Sequence, residues 1–270
     1  MIIGIDIGST TTKAVAVEDG KVIRTVKTKA FDAVTSATGA LGKILLESNI
    51  EIALVEKIII TGAGAVKINN QIFGIPTKKI DEITAIGTGG MFLCKSESVV
   101  ICNIGTGTSI IEASKEKITH LGGTGIGGGT ITGLSKELLH ASTFEHILEL
   151  AEHGNLKNVD LLIEDIYDTH LSFLNKESTA SNFGKMLDTA KKEDLALGVI
   201  NMVYQVIGMI SVFAARSRGK ECVLITGNGS KNMIGRGILE EISTLYNIKF
   251  EYPPDAEYAT AIGAALCDYL

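Results

Sequence analysis

The segment Ile2-Ile3-Gly4-Ile5-Asp6-Ile7-Gly8-Ser9-Thr10-Thr11-Thr12-Lys13 constrains the fold more than any other stretch of the chain. An apolar run carries Asp6 to its end, and a turn of glycine and hydroxyl residues comes next. Gly8 lacks the Cβ that would hold a phosphate away from the backbone. Ser9, Thr10, Thr11 and Thr12 offer N–H and O–H donors, and Lys13 adds a cation. Asp6 is placed to hold a magnesium ion through water beside those phosphates. Glycine and hydroxyl residues also open ordinary β-hairpins, so the phosphate reading needs support from the rest of the chain. Three further glycine-rich turns occur at long spacing.

With 270 residues the chain is long enough for two lobes, each with a core, although one large domain has the same length. Hydrophobic residues make up 45% and the mean hydropathy is +0.27. No apolar run is expected to reach the length needed to cross a bilayer, so this hydropathy is assigned to buried strands and core helices. The chain enters a strand directly, with no basic region or small-residue cleavage site, and a cytoplasmic protein without membrane partners is expected. The net charge of −6 argues against nucleic acid as a partner, which needs clustered lysine and arginine. Cys94, Cys102, Cys222 and Cys267 are scattered in apolar surroundings without Cys-x-x-Cys spacing, as buried reduced thiols are.

Period-two alternation over Thr12–Val17 and Val22–Lys27, joined by Glu18-Asp19-Gly20, predicts a β-meander after the first strand. Val34, Ala37, Leu41, Ile44 and Leu45 fall at helical spacing within 32–48. Lys57–Gly64 reads as a buried strand running into a glycine turn, and Asp81–Leu93 as a helix opened by two acids. Val99–Ile110 repeats the opening pattern of strand, Gly/Thr/Ser turn and strand, a degenerate internal repeat that predicts two related lobes, 1–98 and 99–270. A short hairpin is expected over 111–119, a glycine-dense entry to a helix over Leu121–Leu134, and helices over 143–153, 157–166 and 195–216. Cys222–Ser230 is a strand and turn, Ala256–Tyr269 a small-residue helix, and 172–183 the least structured stretch. The order fits two βββαβα-like halves flanking a cleft.

Gly8–Lys13, Gly105–Ser109, Gly123–Gly129 and Thr226–Ser230 share one pattern. Such turns at the carboxyl ends of strands line the crevice of a two-lobed α/β protein. Gly127-Gly128-Gly129 ahead of a helix adds a helix N-terminus suited to anions. Neither a Walker A sequence nor a protein-kinase glycine loop with His-Arg-Asp is present.

These motifs resemble the actin/hexokinase/Hsp70 superfamily and, within it, the type II pantothenate kinases. The resemblance rests on Gly4–Lys13, Asn103–Ser109, Gly122–Gly133 and Thr179–Gly184 and extends over nearly the whole chain. It implies an α/β, two-lobed, ribonuclease-H-like ATPase fold with the nucleotide cleft between lobes, ATP and Mg²⁺ as cofactors, pantothenate as the small-molecule substrate, and a homodimer built around 195–216. A glutamate after the fourth strand is the family's general base, and Glu82 takes that place. Phosphoryl transfer needs magnesium, phosphate donors and one carboxylate against the attacking hydroxyl. Asp6, Ile7, Gly8, Ser9, Thr10, Thr11, Thr12 and Lys13 match the segment for ATP phosphates, with Asp6 as the metal residue. Thr106 matches a nucleotide-binding threonine, and Thr108 or Ser109 the substrate side. Gly128, Gly129, Thr130, Ile131 and Thr132 match the adenosine-side loop, Phe144 a ring near the nucleotide, and Gly227 the turn closing over the base. For Phe144 a core role is an equal reading.

One position departs from the family. Ahead of Gly122-Gly123 an arginine is usual, placed to meet the transferred phosphate or the substrate, and here the residue is His120. Histidine near neutral pH is mostly uncharged and offers no bidentate fork. Arg216 or Arg218 supplies the charge, the acceptor differs, or the enzyme is weak. His140, His146, His153 and His170 are expected to be structural. The rival classes are the activator ATPase of 2-hydroxyacyl-CoA dehydratases, whose iron–sulfur cluster needs cysteine ligands, a kinase for another alcohol, and a nucleotide-binding regulator.

Overall fold

The computed structural model describes residues 1–167 and 175–269. In the first lobe β1 (Ile2–Ile7) is central. It pairs antiparallel with β2 (Thr11–Glu18), which continues to β3 (Lys21–Lys29), and parallel with β4 (Lys57–Thr61). The edge hairpin β5 (Gln71–Ile72) and β6 (Ile75–Lys79) completes the order β3-β2-β1-β4-β6-β5. Helix α1 (Ala33–Ser48) covers one face, capped by Asp32, whose side chain accepts from the Thr35 N–H at 3.0 Å. Ala37, Leu41 and Ile44 meet Ile3, Ile5, Ile7, Ile58 and Ile60 in this core, while Val34 is exposed.

The second lobe repeats the plan. Strands β7 (Ser98–Ile104), β8 (Thr108–Ser114) and β9 (Ile118–Thr124) form the meander, and β12 (Cys222–Thr226) and β13 (Lys249–Glu251) extend it in parallel. Reading β9-β8-β7-β12-β13 against β3-β2-β1-β4-β6 gives one strand order twice. The repeat expected between residues 2–15 and 99–110 is therefore carried through to the topology of both halves. Helices α3 (Gly128–Leu139), α4 (Phe144–Ala151), α5 (Lys192–Ser217) and α6 (Met233–Tyr246) cover one face around a core that includes Val199, Val203, Tyr204 and Ile207.

Helices α2 (Glu82–Cys94) and α7 (Ala259–Leu266) change sides. Ile86 of α2 packs with Ile101, Ile111 and Leu224 of the second sheet, whereas Ala261, Ile262 and Ala265 of α7 pack with Val15 and Val17 of the first. The two helices cross at glycine and alanine, and this crossing joins the lobes beneath the cleft.

Three local expectations differ from the structure. The helix predicted over 157–166 is replaced by short 3-10 turns at Leu156–Asn158 and Ile163–Asp165 around β10 (Leu161–Leu162), which pairs with β11 (Thr179–Ser181). Buried Asp160 accounts for this: it accepts from Thr179 Oγ1 at 2.9 Å, Asn201 Nδ2 at 2.8 Å and the Phe183 N–H at 2.8 Å. The bonds tie the segment to α5 and to Thr179–Gly184, so that motif serves as a structural clip. The hairpin predicted over 111–119 is longer, β8 and β9 reaching from Thr108 to Thr124. Finally, α5 has 26 residues and a mean hydropathy of 1.9 over its most apolar window, so by length and composition it could cross a bilayer, contrary to the expectation that no run does. Packing supplies another reason for its apolarity, since 61% of that window is buried inside the protein. His170 and part of the 172–183 stretch lie outside the described residues.

Candidate active site

Strand alternation decides which residues of the opening motif reach the cleft. On β1 and β2, Ile3, Ile5, Ile7, Ala14 and Ala16 face the core under α1, and cross-strand pairing puts Thr12 opposite Ile7 on that face. Asp6 and Lys13 are paired on the other face. Asp6, Gly8, Ser9, Thr10, Thr11 and Lys13 line a cleft of about 310 Å³ with Glu82, Thr106, Thr108, Ser109 and Gly227. The side chains of Ile7 and Thr12 do not line it, a correction that comes from period-two geometry; Thr12 Oγ1 is buried without a partner.

Asp6, Lys13 and Glu82 form the charged centre. Asp6 is 9% exposed, and burial pushes its carboxyl up to about 6; Lys13 opposes this shift and the Glu82 charge adds to it. Burial lowers the pKa of the Lys13 ammonium, against the pull of Asp6. Glu82 stands on the rim in the first turn of α2, where Asp81 caps the helix by accepting from the Thr84 N–H at 2.8 Å. Its residue surface is exposed, but the cleft wall shields the carboxyl enough to raise its pKa, with Lys13 opposing. The two expected roles of the Asp81–Glu82 pair are thus divided: Asp81 caps and Glu82 faces the cleft.

Cleft-lining residues of the two lobes are joined by hydrogen bonds at two places. Ser9 Oγ and Thr106 Oγ1 are 2.7 Å apart, and Asn228 Nδ2 donates to Thr11 Oγ1 at 3.0 Å. Behind them Glu257 joins Lys27 at 2.8 Å and Lys231 at 3.5 Å. Asn228 Oδ1 is buried without a partner. Thr108 Oγ1 is already committed, donating to the Ile126 carbonyl at 2.8 Å, while Ser109 pairs with Gly123 at the cleft edge.

The helix N-terminus at Gly127–Gly129 is not an open anion site. The Gly128 N–H donates to the Gly105 carbonyl and the Gly129 N–H to that of Thr106, both at 2.9 Å. A Cβ on Gly127 would stand 2.7 Å from the Thr106 carbonyl oxygen, so this glycine lets one turn pack on another. Gly128, Gly129, Thr130 and Thr132 are absent from the cleft lining. Ile131 is a core residue, and Phe144 packs partly buried against the same core.

His120 is exposed on β9 and outside the cleft lining. It pairs with Ile111, which with Ile118 packs on α2, so His120 occupies the α2 side of the sheet, two residues nearer the cleft than Ile118. The arginines considered in its place are engaged elsewhere. Arg216 Nη2 donates to the Tyr246 carbonyl at 2.9 Å and its guanidinium lies over the Tyr246 ring, while Arg218 pairs with Glu112 at 3.5 Å.

Asn103, Thr124, Asn228 and Thr260 also line the cleft, and sequence reasoning missed them as site residues. For Asn103 the signal is visible: a polar residue near the end of an apolar strand, placed as Asp6 is. Asn228 lies directly after Gly227 inside one of the four glycine turns. Thr260 gives no sequence signal. A single carboxylate such as Asp6 suits magnesium, which takes most of its ligands from water and phosphate. Among the described residues no group of three or more His, Cys, Asp or Glu could hold a metal ion by itself.

The family profile described as Fumble matches residues 98–235. A type II pantothenate kinase of Bacillus cereus is 33% identical over 223 residues, covering 78% of this chain and 81% of that protein. One from Bacillus anthracis is 30% identical over 281 aligned positions, covering 98% and 96%. Among solved structures, the activator of 2-hydroxyisocaproyl-CoA dehydratase from Clostridium difficile, with bound ADPNP, superposes with a TM-score of 0.68 at 18% identity, covering 98% of this chain and 93% of that one. The ROK hexokinase of Thermus thermophilus gives 0.57 at 12% identity, covering 98% and 97%. Those likenesses establish the two-lobed actin/hexokinase-type fold, and the sequence relatives go further: the chain belongs to the type II pantothenate kinase family.

Proposed function

We propose that the chain phosphorylates pantothenate with ATP, giving 4′-phosphopantothenate, the first step of coenzyme A biosynthesis. The observation that carries this reading is the convergence of Asp6, Lys13 and Glu82 on one cleft between lobes, in a member of this kinase family. The hydroxyl oxygen of pantothenate attacks the γ-phosphorus, the bond to the β,γ-bridging oxygen breaks, and ADP leaves. Glu82 accepts the hydroxyl proton, and burial, which raises its pKa against the pull of Lys13, makes it a stronger base than an ordinary carboxylate. Gly8, Ser9, Thr10, Thr11 and Thr106 hold phosphate oxygens, which requires the Ser9–Thr106 contact to part. Lys13 neutralises phosphate charge, and Asp6 holds Mg²⁺, which when bound would offset charge on the transferred group.

Gly227 and the Gly128–Thr132 turn are assigned to the nucleoside side as supports of the cleft walls, and Ser109, Thr108 and His120 to the substrate side. The lobes are assigned to 1–98 and 99–270, a division supported by the two separate sheets. A homodimer forms through α5, whose Phe213 is 61% exposed and Val206 36%. The enzyme acts in the cytoplasm. A coupled assay of ADP release with pantothenate, pantetheine and related alcohols tests the function. Pantothenate-dependent turnover with a phosphorylated product is expected. Turnover only with another alcohol, or an ATPase indifferent to all of them, would overturn it.

A further inference from the structure

Asp6 and Asn103 occupy equivalent places in the two lobes. Asp6 pairs with Thr61 across β1 and β4, and Asn103 pairs with Thr226 across β7 and β12. Each threonine is followed by a glycine in the same unusual conformation, Gly62 at φ 86°, ψ 170° and Gly227 at φ 81°, ψ −179°. A Cβ on Gly62 would lie 2.7 Å from Asp6 Oδ1, and one on Gly227 would lie 2.9 Å from Asn103 Oδ1. Two residues later, Gly64 rests on Ile7 and Gly229 on Ile104 in the same manner. The two half-sites therefore share a backbone and differ in chemistry: a carboxylate in one, a carboxamide in the other.

The second half-site has a bond that the first lacks. Thr226 Oγ1, fully buried, donates to Asn103 Oδ1 at 3.0 Å, whereas the equivalent Thr61 Oγ1 is buried without a partner. A primary amide is planar and carries its acceptor and its donors on opposite sides. With Oδ1 held between Thr226 and the Gly227 turn, the amide presents Nδ2 to the cleft that Asn103 lines. We propose that Asn103 is a binding residue that donates an N–H to a β- or γ-phosphate oxygen, with Thr226 as the positioning residue that fixes the amide. The proposal deepens the kinase reading and rests on it.

The charges make a donor there useful. Among the described residues that line the cleft, Lys13 is the sole lysine or arginine, facing the carboxylates Asp6 and Glu82. A third carboxylate at position 103 would repel a triphosphate. A neutral donor binds its oxygens while leaving the metal to the first lobe, so the near-symmetric fold is made chemically one-sided by one amide nitrogen and one hydroxyl.

Calorimetric titration of the full chain with magnesium and a non-hydrolysable ATP analogue, beside AMP, tests this without pantothenate. Asn103→Asp should weaken triphosphate binding at least about tenfold and leave AMP affinity within about twofold, because AMP lacks the oxygens concerned. Thr226→Val should shift the triphosphate in the same direction, and Thr226→Ser should restore it; thermal unfolding reports whether each variant is folded. Wild-type triphosphate affinity in Asn103→Asp would overturn the proposal, as would equal losses for AMP and triphosphate. Failure of Thr226→Ser to restore affinity would overturn the positioning role. If Asn103→Asp does not fold, Asn103→Ala gives the same split or overturns the proposal. A wild-type chain that binds no triphosphate would instead overturn the kinase reading, and this inference with it.

Discussion

Gly89 of α2 and Gly263 of α7 lie in backbone contact where the lobes join. A Cβ on Gly89 would stand 1.9 Å from the Ala259 carbonyl oxygen, and one on Gly263 would stand 1.8 Å from that of Ala85 and 2.5 Å from the Gly89 nitrogen. No rotamer can relieve a clash with backbone. Alanine favours an isolated helix by about 1 kcal/mol over glycine, so Gly263→Ala tests which effect wins. The contact should win: the variant is expected to lose about 2 kcal/mol or more as the helices are forced apart. Chemical denaturation measures it, and a more stable variant would show that the crossing yields easily.

Glu82→Gln should reduce turnover at least about a hundredfold while leaving nucleotide affinity nearly unchanged. Burial raises the Glu82 pKa above its ordinary value, so wild-type turnover should fall on the acid side as the base takes up its proton, with a midpoint above 4.5. The residual activity of Glu82→Gln should lack that limb. Full activity in this variant would place the base elsewhere.

Asp6→Asn should separate stability from activity. In the metal-free protein the folded-state pKa of Asp6, about 6, lies above its unfolded value of 3.8. A raised carboxyl contributes stability that is complete below the unfolded value and lost as pH rises through the folded one. At pH 7.5 the ionised group therefore costs roughly 2–3 kcal/mol. The uncharged amide escapes that cost and offers Thr61 Oγ1 an acceptor like the one Thr226 finds in Asn103. Urea denaturation without metal should show Asp6→Asn more stable than wild type at pH 7.5, with the difference shrinking toward pH 4. Magnesium-dependent turnover should fall. Equal stability at both pH values would mean that the carboxyl is better solvated than its burial implies.

Sequence reading located the cleft because strand-end turns and period-two alternation are local signals. Asp6 and Lys13 were accessible to it for that reason, and so was the duplicated half through Val99–Ile110, whereas Glu82 was singled out only by the family resemblance. The choice among Ser9–Thr12 needed the register of β1 with β2, which places Thr12 opposite Ile7 and away from the cleft. The Gly127–Gly129 turn looked like an anion site because the Gly128 and Gly129 N–H groups have no partner close by in sequence; the carbonyls that accept from them, on Gly105 and Thr106, belong to a turn more than twenty residues earlier. Asp160 held the 157–166 segment out of a helix through Asn201, again a contact with no local trace. What stayed hidden depended on pairing between distant segments.

His120→Arg asks whether the substituted position still serves the reaction. His120 stands on the α2 side of β9, two residues nearer the cleft than Ile118, and neither Arg216 nor Arg218 is free to replace the family arginine. An arginine side chain is longer and permanently charged, so from this strand position it can extend toward the cleft, where Lys13 is the sole lysine or arginine among the described lining residues. In a water-poor cleft such a charge stabilises the transition state by a few kcal/mol when well placed, and by much less at an exposed rim. His120 is exposed, so the expected gain is modest: unchanged or up to about tenfold higher kcat/KM for pantothenate, with ATP affinity little altered. If the pocket had been rebuilt around His120 for another alcohol, arginine would instead lower turnover of that alcohol and leave pantothenate poor. Steady-state kinetics of both proteins on pantothenate and pantetheine decide between these outcomes. A wild-type enzyme without pantothenate turnover, unimproved by arginine, would remove pantothenate as the substrate while leaving the kinase chemistry of Glu82 and Asp6 to be assigned to a different acceptor.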